Sequence, residues 1–343
     1  MLSSSLPASA LPAEIPGSEG RQSEVPALAR LRLLRLSVTD LCNFRCCYCM
    51  PPEGVPKVAH RELLSLEELA DLTEWLTRHS GVDRVKLTGG EPLVRRNIEH
   101  LVARLAANPG ISEVSLTTNG SLLPRLAEKL KAAGLKRVNI SLDALDPEQF
   151  ERLTRGAKLA DTLAGIEAAV AVGLTPLKIN AVLQRSSWER QVPLLLDFAA
   201  ARGFELRFIE LMRTGTEREW CASEFVPVQD VREWLAGRES VEELASAAGV
   251  PARLTKVSWR GAALTVGWIT PRSHPFCEQC ERVRLDARGR LRRCLMDPST
   301  LDLAALRRDT GDAAALDAFR AYLERKRPPS AMDSALAMSL IGG

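Results

Sequence analysis

From Leu31 onward, short apolar runs alternate with longer stretches of helical periodicity. The runs Leu31–Val38, Val82–Leu87, Glu113–Thr117, Arg137–Leu142, Leu177–Leu183 and Glu205–Ile209 predict strands. Helical patterns fall between them at Ser65–Arg78, Ile98–Ala106, Leu122–Ala133, Asp161–Val172 and Trp188–Ala201, and Ser65 with Glu68 predicts a capping box. Such alternation implies parallel strands joined by right-handed crossovers. Six units exceed a small flavodoxin-like sheet and fall short of a closed eightfold barrel. The predicted fold is α/β, a partial six-unit (β/α) TIM-type barrel, with an open doubly wound sheet as the alternative.

After Val226 the pattern changes. It predicts short helices at Val228–Leu235 and Val241–Ala248 and a hairpin of Arg253–Trp259 with Ala262–Ile269 about Arg260-Gly261. A second hairpin is predicted across Val283–Leu295, and helix from Leu301 to about Arg325. Three parts are therefore expected: a disordered extension over residues 1–30, a barrel over 31–225, and a smaller cysteine-bearing α+β extension over 226–343.

Polar or small groups follow strand after strand: Thr39-Asp40, Thr88-Gly89-Gly90-Glu91-Pro92, Thr118-Asn119-Gly120, Asp143 and Glu210. Any one is ordinary turn chemistry. In succession they indicate a shared site at the carboxyl ends of barrel strands.

Composition narrows this little: 45% hydrophobic and 26% charged residues are usual for a soluble globular protein. A net charge of +3 gives no argument for nucleic acid or a membrane as partner. The charge is uneven, with six arginines and the single acid Asp286 between Arg282 and Arg293. No apolar run is long enough to span a bilayer, and the first thirty residues lack the basic start and apolar stretch of a signal peptide.

Six of the eight cysteines fall in two sets, Cys42/Cys46/Cys49 and Cys277/Cys280/Cys294, while Cys47 lies inside the first set and Cys221 is expected to be a buried thiol. Such grouping indicates metal ligation and a reducing, cytoplasmic setting. Three thiolates can hold three irons of a four-iron cluster and leave the fourth open to another ligand. For the second set, a zinc site completed by His274 stands as the alternative.

Cys42-x3-Cys46-x2-Cys49, with Tyr48 before the last cysteine, resembles the radical S-adenosylmethionine (SAM) enzymes, and Gly89-Gly90-Glu91-Pro92 resembles their methionine-binding motif. Cys277-x2-Cys280-x13-Cys294 and the terminal Gly342-Gly343 resemble one branch, the GTP 3′,8-cyclase family of molybdenum cofactor biosynthesis. The similarity runs from about Leu33 to Gly343. It implies two [4Fe-4S] clusters, with SAM bound to the open iron of the first and cleaved to a 5′-deoxyadenosyl radical. That radical takes hydrogen from C3′ of GTP, and C3′ then attacks C8 of guanine. The second cluster would hold the guanine base.

By the same resemblance, Tyr48, Gly90, Thr117, Ser141 and Met212 match SAM-binding positions, and Arg35, Arg84, Lys86, Lys178 and Arg207 match positions that hold GTP. Arg282 and Arg284 match substrate-side catalytic arginines, and Gly342-Gly343 a tail that enters the active site. Implied partners are an unidentified electron donor and a downstream cyclic pyranopterin monophosphate synthase, with room for a homodimer. Lys86 stands where the family usually has arginine, Leu41 replaces a common arginine, and Cys47 is an uncommon occupant. Two competing readings remain: a peptide- or tetrapyrrole-modifying radical enzyme with an auxiliary cluster, and a zinc-stabilised module that uses the Arg282–Arg293 hairpin on nucleic acid.

Overall fold

The computed structural model describes residues 28–55, 62–215, 217–245, 249–329, 333–334 and 337–338. Six strands alternate with helices, as the periodicity predicts: β1 (Leu33–Ser37), β2 (Arg84–Thr88), β3 (Glu113–Thr118), β4 (Arg137–Ser141), β5 (Lys178–Val182) and β6 (Glu205–Ile209). Between them run α1 (Leu66–His79), α2 (Ile98–Ala106), α3 (Leu123–Ala132), α4 (Pro147–Thr154), α5 (Leu159–Ala171) and α6 (Trp188–Ala200). The capping box forms: Ser65 Oγ accepts from Glu68 N at 3.1 Å, and Glu68 Oε2 accepts from Ser65 N at 2.7 Å. Helix α4 went unpredicted, although Asp146-Pro147 starts it in a recognisable way, with Asp146 accepting from Gln149 N at 2.8 Å.

The six strands lie side by side in chain order and pair in parallel. Monotonic order sends every right-handed crossover over one face, which is barrel winding; a doubly wound sheet would reverse direction at a switch point. The helix-facing positions form the core, among them Leu34, Leu36, Val85, Leu87, Val114, Leu116, Ile140, Ile179 and Phe208. Alternate positions on each strand face the barrel lumen.

The C-terminal region continues the same sheet. After β7 (Arg213–Thr214), α7 (Arg218–Ser223) and α8 (Val228–Ala236) come β8 (Val241–Leu244), β9 (Arg253–Trp259) and β10 (Ala262–Ile269), followed by β11 (Arg282–Leu285), β12 (Arg290–Arg292) and β13 (Leu301–Asp302). Strand β10 pairs in parallel with β6, and β11 in parallel with β1, so the region extends the barrel sheet at both edges. The order in the sheet is β13-β12-β11-β1-β2-β3-β4-β5-β6-β10-β9-β8.

The helix predicted at Val241–Ala248 is instead strand β8, and residues 246–248 lie outside the described residues. Its exposed Glu242 is in register with Lys256 across the antiparallel pair with β9, opposite charges on an edge strand. Helix α9 (Leu303–Glu324) is broken at Gly311, whose φ of 83° is non-helical. Short β14 (Asp333–Ser334) runs parallel to β7. No helix among the described residues is long and apolar enough to cross a membrane. Most of the predicted N-terminal extension, residues 1–27, lies outside the described residues, and at Leu28 the carbonyl oxygen accepts from Leu31 N and Gly81 N.

Candidate active site

The first cysteine set occupies the loop that leaves β1. Backbone bonds shape it: Cys49 N donates to Cys46 O at 2.9 Å, Cys47 N to Leu153 O at 2.9 Å, and Arg45 N to Thr154 O at 3.1 Å. Arg155 adds a bond from its guanidinium to Met50 O at 2.8 Å. None of the eight cysteines is in a disulfide. Burial pushes the Cys46 thiol well up, and Cys49, Asp143, Cys42 and Cys47 add to it, so the set lies within electrostatic reach of itself. Phe44 N donates to Cys42 Sγ at 3.3 Å, the kind of bond that supports a thiolate carrying cluster charge. Burial also raises the Cys47 thiol, with Arg155 opposing the rise and Asp143 and the buried Cys221 adding to it.

The loop after β2 is built against this one. Gly90 N donates to Thr39 O at 2.9 Å and Glu91 N to Leu41 O at 2.8 Å. A side chain at Gly90 would put a Cβ 2.4 Å from Leu41 O. Glu91 is buried and accepts from Thr118 Oγ1 at 2.7 Å, Asn119 N at 2.7 Å and Leu93 N at 3.0 Å. Its carboxylate is thus a strut between strand ends, and burial lifts its pKa to about 7. The sequence motif is explained by its backbone: glycine permits contact with the cysteine loop, and glutamate fixes the turn.

Around the same end, Tyr48 donates from its hydroxyl to Asp143 Oδ2 at 2.5 Å, while Asp143 Oδ1 accepts from Val182 N at 2.8 Å. Burial raises the Asp143 carboxyl to about 6. Thr117 and Ser141 stand on lumen-facing positions of β3 and β4, and partly buried Met212 follows β6. Met338 N donates to Cys49 O at 3.0 Å. Gly342 and Gly343 lie outside the described residues.

Deeper in the lumen, strand register assembles basic rows that the sequence leaves scattered. Arg292, Arg284, Arg35, Lys86, Ser115 and Arg137 are successive cross-strand partners from β12 to β4. A second row is Thr117, Asn139, Lys178 and Glu205, and a third is Ser141, Asn180, Arg207 and Gly267. Gly267 leaves the space that Arg207 fills; a Cβ there would lie 3.0 Å from Arg207 Cγ.

Like charges facing each other across strands destabilise a sheet, and this row holds several. Burial, reinforced by Arg35, Arg207 and Arg137, drives the Lys86 ammonium well below its usual pKa. Burial and Arg282 bring Arg35 to about 10, and burial with Arg35 and Arg282 holds Arg284 well below its usual pKa. Glu205 bridges Lys178 at 2.6 Å and Arg207 at 2.5 Å, and Glu113 pairs with Arg137 at 2.8 Å. No carboxylate lies within ion-pair distance of Lys86 among the described residues. Such a lumen is organised for a polyanion.

The second cysteine set closes the end of this row. Cys277 and Cys280 precede β11, with Cys280 N donating to Cys277 O at 3.1 Å, and Cys294 follows β12. Burial raises the Cys280 thiol, but Arg282 and Lys326 outweigh it and bring the pKa down to about 7. Lys326 Nζ donates to Cys280 O at 3.0 Å, and Arg84 reaches Glu281 at 3.5 Å. Met296 N donates to Cys294 Sγ at 3.5 Å. Among the described residues no three potential ligands converge as a single metal ion requires. Thiolates that each hold a different iron need no such convergence. His274, the alternative ligand, is exposed beside Ser273 Oγ at 3.3 Å.

The predicted basic hairpin disperses. Arg282 and Arg284 face the lumen, Arg290 pairs with Asp286 at 2.8 Å, Arg293 pairs with Asp297 at 2.7 Å, and Arg292 donates to Asp297 O at 2.8 Å.

Residues 36–199 match the radical SAM superfamily and residues 204–332 match the Molybdenum Cofactor Synthesis C family. A protein of Pelotomaculum thermopropionicum named GTP 3′,8-cyclase is 42% identical over 320 residues, covering 91% of this chain and 98% of its own. One of the same name from Heliobacterium modesticaldum is 41% identical over 329 residues, covering 93% and 100%. Among solved structures, Streptococcus suis SuiB bound to S-adenosylmethionine matches with a TM-score of 0.59 at 16% identity, covering 85% of this chain and 68% of that one. That last likeness is one of fold.

Proposed function

The chain belongs to the radical SAM GTP 3′,8-cyclase family, and from that membership we infer how its residues divide the work. It is a lyase that cyclises GTP to (8S)-3′,8-cyclo-7,8-dihydroguanosine 5′-triphosphate, the first step of molybdenum cofactor biosynthesis. Bound at Cys42, Cys46 and Cys49, a [4Fe-4S] cluster with SAM supplies the radical that starts the reaction. Tyr48, Gly90, Thr117, Ser141 and Met212 hold SAM in our reading, with Glu91 fixing the turn that presents Gly90.

Arg35, Arg84, Lys86, Lys178 and Arg207 neutralise the triphosphate, and Arg282 with Arg284 hold the nucleotide against the second cysteine set. Cys277, Cys280 and Cys294 would carry a second [4Fe-4S] cluster, whose open iron would take the guanine base. The low-lying Cys280 thiol and the N–H of Met296 on Cys294 suit thiolate ligation. The Gly342-Gly343 tail serves the same cavity. An external electron donor, a downstream synthase that uses the product, and a cytoplasmic location that keeps six thiols reduced complete the proposal.

One observation carries this assignment: the row of basic side chains runs from the strand bearing Arg284 to that bearing Arg137, between the two cysteine sets. Anaerobic reconstitution tests it. The chain should hold about eight irons, and the triple Cys277, Cys280, Cys294→Ala variant about four. About four irons in the unaltered chain, or stoichiometric zinc, would refute the second cluster.

A further inference from the structure

Behind the first cysteine loop lies a surface pocket of about 380 Å³ that neither SAM nor GTP is assigned to. Asn43, Phe44 and Arg45, the three residues between Cys42 and Cys46, form part of its lining. Arg155, Lys158 and Asp161, from the end of α4 and the start of α5, complete the charged part. None of Tyr48, Gly90, Thr117, Ser141 and Met212 lines it, so the pocket opens away from the lumen. Asn43, Lys158 and Asp161 are exposed at its rim. The Arg45 guanidinium donates to the carbonyls of Cys42 and Phe44, at 2.5 and 2.9 Å, and to no carboxylate among the described residues. Arg155 pairs with Glu217 at 3.3 Å, outside the pocket. Three cations therefore stand against one lining acid, Asp161.

We propose that an acidic electron-carrier protein docks on this pocket to reduce the first cluster. This rests on the assignment above of a [4Fe-4S] cluster to Cys42, Cys46 and Cys49, with SAM on its lumen side. Reductive cleavage of SAM consumes one electron: a carbon–sulfur bond of the sulfonium breaks, methionine leaves, and the radical stays on the adenosyl carbon. The carrier supplies that electron through the cluster and is left oxidised by one electron. SAM and GTP occupy the lumen during the reaction, so the electron enters from outside the loop. The pocket is the place for it, because its lining includes the peptide between two cluster ligands. Electron-transfer encounters are small and steered by charge, which suits a cationic pocket and an acidic partner.

Two readouts on the reconstituted protein test this, with thermal melting alongside. One is calorimetric binding of an oxidised flavodoxin or ferredoxin. The other is the rate of 5′-deoxyadenosine formation from SAM, driven by the same carrier in reduced, subsaturating form or by dithionite, which is small and needs no docking surface. Lys158→Glu should weaken carrier binding and slow the carrier-driven rate about 3- to 10-fold at low salt, as an attraction becomes a repulsion, with the dithionite rate unchanged. Asp161→Lys should shift both in the other direction by a similar factor. Raising the salt should shrink both effects. Lys136→Glu, exposed at the opposite end of the barrel just before β4, should change neither readout. If a charge-reversed variant fails to fold, Lys158→Gln and Asp161→Asn make the same comparison with half the change in charge.

Equal carrier binding by the unaltered chain, Lys158→Glu and Asp161→Lys would overturn the proposal, as would a loss shared by Lys136→Glu or by the dithionite rate. So would a chain that works with dithionite and with neither carrier. Inorganic phosphate that raises the melting temperature of the unaltered chain but not of Lys158→Glu, with carrier binding equal in both, would make the pocket a small-anion site instead. Should dithionite itself yield no 5′-deoxyadenosine, the underlying assignment of the cluster and SAM fails.

Discussion

At the scale of single residues, Gly90 and Glu91 carry the motif in different ways. A Cβ on Gly90 would press on Leu41 O at 2.4 Å and Asp40 O at 2.7 Å, both backbone atoms of the cysteine loop. Gly90→Ala should therefore abolish SAM binding and lower stability by about 1–3 kcal/mol, as overpacking does; calorimetry and thermal melting measure both. Glu91 makes a pH prediction. Its folded-state pKa of about 7 stands above the unfolded 4.5, because burial penalises the charge. The folded chain thus binds this proton more tightly than the unfolded chain. Stability contributed by Glu91 is greatest below about pH 4.5, declines as pH rises toward 7, and then levels off. Glu91→Gln should flatten that slope. It should also lower the whole curve by about 1–3 kcal/mol, since an amide cannot accept from all of Thr118, Asn119 and Leu93.

At the scale of elements, the basic rows set binding against stability. Glu205 lies between Lys178 and Arg207 and holds both at ion-pair distance. Glu205→Gln should tighten GTP binding several-fold by releasing two cations, and should destabilise the nucleotide-free chain by on the order of 3 kcal/mol. Lys86→Met should do the reverse, raising the melting temperature while weakening GTP at least about tenfold. The strands that carry these rows were legible in the sequence: β6 spans Glu205–Ile209, as its periodicity predicts. Strand β8 was not, because only Val241 and Leu244 are apolar and its pairing comes from β9. Nor could the sequence reveal that Arg35, Lys86 and Arg284 stand in one row. That depends on cross-strand register, and register is set by packing across the whole sheet.

At the scale of the whole molecule, the expected boundary near residue 225 cuts through one sheet. Strands β10 and β11 cover the free edges of β6 and β1, so a fragment of residues 28–225 would expose both edges. That fragment should aggregate when expressed alone; a soluble fragment with a cooperative melt would contradict this. The two cysteine sets, taken with Gly89-Gly90-Glu91-Pro92 and the Gly342-Gly343 ending, made the family recognisable from the sequence. Their connection could not, because β11 brings the second set beside β1 from about 250 residues away in the chain. The account as a whole rests on GTP lying in the cationic lumen between two clusters. An anaerobic incubation of the reconstituted chain with reductant, SAM and GTP tests that most directly. It should yield 5′-deoxyadenosine together with the 3′,8-cyclised nucleotide; 5′-deoxyadenosine with GTP left intact would contradict it.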